Sequence, residues 1–134
     1  MTTAEKSEVL LDNKHILMHL PAHVFWLDCN HIVLGCNHSQ ARSLGFEDPK
    51  QVVGKCVDQL LPTEDAKKLI INNNLVIREK QSLVLEEPSY YPGVGKRLFL
   101  SSKSPLYDDQ GNIVGTVGIA QDITAMKNHE AQRL

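Results

Sequence analysis

The chain has 134 residues, 42% of them hydrophobic and 22% charged, enough for one domain that buries its own core and too few for a multidomain enzyme. Fourteen Lys and Arg against sixteen Asp and Glu leave a net charge of -2, without the basic stripe that binds nucleic acid or an anionic membrane surface. Cys29, Cys36 and Cys56 lack metal-site spacing, no apolar run is long enough to span a bilayer, and the start is polar and acidic; the expected location is a reducing cytoplasm.

Over residues 5–20 the apolar side chains recur seven apart, Val9 with Ile16, Leu10 with Leu17 and Leu11 with Met18. On a helix these rows make a broad apolar face that wants cover on more than one side. Pro21 ends that helix. Val24-Phe25-Trp26-Leu27 and Ile32-Val33-Leu34 are β-rich runs around a turn at Asp28-Cys29-Asn30-His31. Residues 37–61 are predicted as short helical pieces broken by Gly45, Pro49 and Gly54, each too brief to be stable unless packed on something.

Thr63 is the expected N-cap of a longer helix, with Glu64 and Asp65 in its first turn. Its apolar side is Ala66, Leu69, Ile70, Val76 and Ile77, and Asn73 falls in the middle of that side, where a polar group needs a partner. Strands are predicted at residues 83–87, 97–104 and 113–123, joined by residues 88–95 and by Asp108-Asp109-Gln110-Gly111-Asn112. The last strand alternates Ile113, Val117 and Ile119 with Val114, Thr116, Gly118 and Ala120; the bulky face suits the N-terminal helix and the smaller face a concavity. Thr124 is the expected cap of a final helix whose Ile123, Met126, Glu130 and Leu134 form a weak heptad fragment that stops at the chain end, as though the chain were cut from something longer.

This order of elements resembles a PAS sensor domain over residues 20–127. Phe25-Trp26-Leu27-Asp28, Gly35-Cys36-Asn37, Gly45-Phe46 and Val53-Gly54-Lys55 carry the likeness, and Gly115-Thr116-Val117-Gly118-Ile119-Ala120-Gln121-Asp122-Ile123-Thr124 carries it most specifically. In PAS proteins of bacterial signalling the Asp-Ile-Thr triplet marks the handover from the last strand to a helix feeding an output domain. The resemblance implies an α+β, profilin-like fold: a five-stranded antiparallel sheet with helices packed on it, an N-terminal flanking helix at 1–19, a sensor core at 20–123 and the start of a signalling helix at 124–134. It implies a non-catalytic regulatory module that detects a small molecule or other intracellular signal. The module's output domain in cis would be a histidine kinase, with a diguanylate cyclase next.

Pocket candidates between sheet and longer helix are Asn37, Phe46, Leu69, Asn73, Leu100, Ser102, Thr116 and Gly118, with a filled core and a ligand cavity both open on the residues alone. Signal relay falls to Asp122, Ile123 and Thr124, with Asp122 holding local backbone N–H groups. Leu10, Leu11, Leu17 and Met18 are the expected contacts of a homodimer. No cofactor is expected. Haem-binding relatives use a histidine on the longer helix, which residues 63–80 lack, and flavin-binding relatives a cysteine shortly after the asparagine, where Asn37 is followed by His38-Ser39-Gln40-Ala41. A flavin- or haem-dependent light, redox or gas receptor is the competing class, and a small stand-alone enzyme the third. His15 and His19 stand four apart without a third metal ligand, and His129-Glu130 departs from a kinase phosphoacceptor box at Ala131. Neither a metal site nor a nucleophile elbow is expected, and neither nucleic acid nor membrane is an expected partner.

Overall fold

The structure, a computed structural model, describes residue 18 and residues 21–91 and 95–133. The predicted N-terminal helix, with Leu10, Leu11 and Leu17, lies outside the described residues; Met18 is half-buried. Strands β1 (His23–Asp28) and β2 (Val33–Cys36) form an antiparallel hairpin. The chain continues through α1 (His38–Ser43), a short 3-10 turn (Pro49–Gln51), α2 (Val57–Leu60) and α3 (Thr63–Glu79). It returns as β3 (Leu83–Tyr91), β4 (Gly95–Tyr107) and β5 (Ile113–Asp122), and leaves through α4 (Thr124–Arg133). The five strands stand in the order β2-β1-β5-β4-β3, with every neighbour antiparallel. The helical middle of the chain therefore passes from one edge of the sheet to the other, and α3 lies across β4 and β5.

Two of the connections are built alike. Asp28 Oδ1 accepts from the amides of Asn30 and Ile32 at 2.8 and 3.0 Å, and Asp108 Oδ1 accepts from Gln110 and Asn112, both at 2.9 Å. The left-handed backbone position that closes such a turn falls on His31 (φ 65) in the first and on Gly111 (φ 83) in the second.

The core is the cluster Leu27, Val33, Cys36, Ala41, Val52 and Val57, onto which Phe25, Leu44, Phe46, Leu60, Leu61 and Leu69 pack. The short pieces of residues 37–61 are thus stabilised by closing over the β1–β2 hairpin, as their brevity demands. On β5 the buried side is Thr116 and Gly118, and a Cβ on Gly118 would come within 2.7 Å of the Phe25 ring. Val114 and Ile119 are each 39% exposed. The cover expected for Ile119, residues 5–20, lies outside the described residues.

Four local expectations are corrected. Thr63 is the first residue of α3 rather than its cap; Pro62 stands at the N-cap and its carbonyl accepts from Ala66 N at 2.9 Å. The strand expected at 83–87 runs on through Pro88 to Tyr91, because β3 is an edge strand with β4 as its one partner and tolerates a residue without an N–H. β4 is correspondingly longer than expected, 95–107. Finally, Thr124 opens α4 without capping it, since its hydroxyl is engaged by β4.

Candidate functional site

Two cavities lie on the helix-covered side of the sheet. The inner one, walled by Phe25, Leu27, Val33, Cys36, Leu44 and Leu69 among others, has a volume of about 20 Å³, room for one water and for no metabolite. That part of the core is filled. The outer one is a cleft of about 710 Å³ between α1, α2 and α3 on one side and β3 and β4 on the other, within the size range of small-molecule sites. Its walls are apolar at Leu44, Leu60, Leu61, Leu69 and Leu85 and polar at Gln40, Asn72, Glu87 and Lys103.

The residues expected at the pocket separate into three groups. Leu69 lines both cavities, while Thr116 and Gly118 sit on the same sheet face beneath the helices. Phe46 packs onto the core with Lys55 Nζ 5.8 Å from its ring. Asn37 and Asn73 are fully buried, in different states. Asn37 Oδ1 accepts from Val24 N (3.1 Å) and Gln40 N (3.0 Å) and its Nδ2 donates to Ala22 O (2.7 Å), so it ties β1 to the start of α1. Its polar atoms are engaged by the fold itself. Asn73 Nδ2 has no hydrogen-bond partner among the described residues.

Leu100 and Ser102 line neither cavity, which corrects their placement. Ser102 pairs with Val84 and Ile119, and Leu100 with Glu86 and Gln121, whereas the cleft-side residue of β4 is Lys103, paired with Gly118. Lys103 is only 6% exposed and its Nζ lies 5.9 Å from the centre of the Phe25 ring. Burial pulls its ammonium below the usual lysine pKa, and the Glu87 carboxylate partly restores it.

At the other end of β5 the triplet Asp122, Ile123 and Thr124 is a clamp. Asp122 Oδ1 accepts from Thr124 N (3.0 Å), and its Oδ2 takes both Arg97 Nε (2.8 Å) and Nη2 (2.7 Å). Partial burial pushes the Asp122 carboxyl up, but the bonds from Thr124 and Arg97 outweigh it and hold it below the usual range. Leu98 N donates to Thr124 Oγ1 and Ile123 N to Leu98 O, each at 2.8 Å, and Lys127 of α4 reaches Glu86 of β3 at 3.1 Å. The triplet was legible in the sequence. Arg97 and Leu98, its partners on β4, were not, nor was Glu86, the partner of Lys127.

Among the described residues no group of three or more His, Cys, Asp or Glu is placed to hold a metal ion, and no helix is long and apolar enough to cross a membrane. Cys36 is buried, which pushes its thiol pKa up, Cys56 is half-buried and Cys29 is exposed.

An antiparallel sheet of this order, with helices over one face and a clamped exit helix, defines a sensory-domain architecture. The PAS fold family matches residues 17–128, and the chain belongs to that family. Among solved structures it is similar to a phage VqmA–DPO complex (18% identity, TM-score 0.75, covering 98% of this chain and 61% of that one). It is also similar to the VqmA–ligand–DNA complex of Vibrio cholerae (21%, TM-score 0.75, 92% and 53%). A sensory box sensor histidine kinase from Vibrio cholerae matches at 18% identity and TM-score 0.65, covering 90% and 95%. At these identities the likeness is one of fold, and the chain spans 53% and 61% of the two VqmA chains. No curated protein matches the sequence.

Proposed function

We propose that this chain is the sensory module of a larger regulatory protein, taking a small molecule into the cleft and conveying its presence through α4 to an output domain. One observation carries the reading. Strand β3 borders the cleft with Leu85 and Glu87 on one face and anchors Lys127 of the exit helix through Glu86 on the other, so any shift of β3 about a ligand acts directly on α4. A ligand moves that helix only by as much as its affinity differs between two arrangements of β3 and α4. The module itself has no turnover in this reading, works without haem, flavin or metal, and acts in the cytoplasm as a homodimer.

A histidine kinase is the output the Asp-Ile-Thr ending favours. A DNA-binding output is the second reading, favoured by the higher TM-score to VqmA, 0.75 against 0.65 for the histidine kinase. The charge of -2 belongs to the present chain alone and speaks to neither.

Hydrogen exchange tests the core of the proposal. Small-molecule extracts of cells, fractionated and added to the protein, are expected to include a fraction that slows exchange in β3 and changes it in α4 together. Protection of β3 with α4 unchanged in every fraction would remove the signalling role, and no effect at either element would remove the sensory one.

A further inference from the structure

We propose that His23 makes the exit clamp sensitive to pH: on acidification the ring takes up a proton and draws the Asp122 carboxylate away from the start of α4. The proton is then a second input, separate from any occupant of the cleft. The proposal shares with the sensory reading only the use of α4 as the output.

His23 opens β1, and the register places it beside the clamp. It pairs with Ala120 of β5, and Asp122 lies two residues further along on the same face, since side chains alternate along a strand. Such diagonal neighbours stand about 7 Å apart, within reach of a ring and a carboxylate. Phe99, the β4 partner of Asp122, has its ring 5.8 Å from the His23 ring. One Asp122 oxygen already holds Arg97 and the other the Thr124 amide. His23, Phe99, Asp122 and Arg97 thus form one cluster at the root of α4.

A neutral imidazole has one N–H and one lone pair, and the protonated ring has two N–H groups. The His23 ring bonds the backbone of Ser39 at the start of α1, and its Nδ1 is buried without a hydrogen-bond partner among the described residues. Protonation at Nδ1 therefore sets a new donor, and a charge, where no acceptor is waiting. The titratable and charged groups on this side of the sheet and on the helix beside it are Asp122 of β5, Arg97 and Lys103 of β4, Cys36 of β2, and His38 and Arg42 of α1. Asp122 is the carboxylate among them, and its charge acts on the ring. Cys36 stays a thiol, because burial pushes its pKa up. The new cation has one anion among these groups to turn to, and that anion is the one holding Thr124.

Burial holds the His23 pKa below its usual 6.5, with Ser39 and Asp122 acting against the shift. The unfolded chain therefore takes up the proton first, so the native stability is complete above that usual value and is lost as pH falls towards the folded one. The Asp122 carboxyl titrates below the usual carboxylate range, which keeps the two protonations apart.

NMR of the whole chain between about pH 7.5 and about pH 5 tests this, following the His23 ring and the α4 amides together. The ring is expected to titrate below 6.5, and the amides of Thr124 and Ala125 to shift with the same midpoint. Exchange in α4, corrected for its intrinsic pH dependence, is expected to rise severalfold across that midpoint. His23→Gln, which keeps a polar side chain but takes up no proton, is expected to abolish both the shift and the rise. A ring that titrates while Thr124 and Ala125 stay still overturns the proposal, as does a ring that stays neutral throughout or a response that persists in His23→Gln. The shared midpoint is read on the unaltered chain, so the outcome is decided even if the variant fails to fold. The exchange experiment with cell extracts, run at constant pH, decides the sensory reading separately.

Discussion

A lysine side chain drawn into the body of a domain costs the fold part of the solvation of its charge, and Lys103 is only 6% exposed. Its pKa in the folded chain is lowered, first by burial, with Glu87 acting against the shift. The unfolded chain, with lysine near its ordinary value of about 10.4, then holds the proton more tightly than the folded one. Native stability rises with pH between the lowered folded value and the unfolded value, and the penalty is fully present below that window. Lys103→Met is therefore expected to stabilise the protein by about 1 kcal/mol near neutral pH, with the gain shrinking towards pH 10. Urea unfolding near pH 7 and at about pH 9.5 checks it; a variant less stable than the parent at neutral pH counts against it. The sequence concealed this residue for a definite reason. Tyr107 pairs with Ile113 at the hairpin end, and an unbroken ladder from that pair would set Ser102 opposite Gly118. A register irregularity between Leu106 and Tyr107 instead brings Lys103 there, and one residue of slip exchanges the two faces of a strand. Leu100 and Ser102, the pocket candidates on this strand, lie on the face that the shift turns away from the cleft. Asn73, by contrast, was legible as a polar group on the apolar side of α3, whereas Asn37, a pocket candidate in the sequence, is satisfied by the fold itself.

At the scale of elements, α4 depends on its attachments. It spans ten residues, below the length at which an isolated helix is stable in water, so the clamp at Asp122 and the Lys127–Glu86 pair hold it against the sheet. Exposed ion pairs contribute little globally: Arg97→Ala is expected to cost about 0.5 kcal/mol in overall unfolding, and Lys127→Ala to leave the global midpoint nearly unchanged. Local exchange in α4 should nonetheless rise severalfold in either variant, because the helix opens without the sheet. Exchange that stays at the parental rate in both would dissociate these contacts from control of α4. Asp122 gives the same clamp a pH dependence. Its folded pKa lies below the unfolded one, so the stabilisation is present above the unfolded carboxylate value, about 4, and is lost as pH falls through the folded value. The order and type of the elements were legible from periodicity and turn residues. Their ends were less so: Pro88 reads as a stop until β3 is known to be an edge, and Thr63 and Thr124 read as caps until their neighbours are known.

For the whole molecule, the chain carries its covering helices between its two edge strands, so the face beneath α3 is closed by local sequence while the opposite face is left to other segments. Val84 (61% exposed) and Ile119 (39%) show how much apolar surface that leaves. In the homodimer proposed above, one side of the N-terminal segment would cover this face while Leu10, Leu11, Leu17 and Met18 would meet the second copy. Light scattering at tens of micromolar is expected to show a dimer, and Leu11→Glu with Met18→Glu to shift it to monomer; a chain that is monomeric with and without these changes would end the dimer proposal.

Copies that associate need a route other than the sheet margin. A nine-residue edge strand presents a row of unpaired backbone groups, a template on which a strand of another molecule could add and begin a stack. Pro88 interrupts that row near its middle, with no N–H to offer and a ring where the incoming backbone would lie. On this side the sheet ends at β3 by its own chemistry.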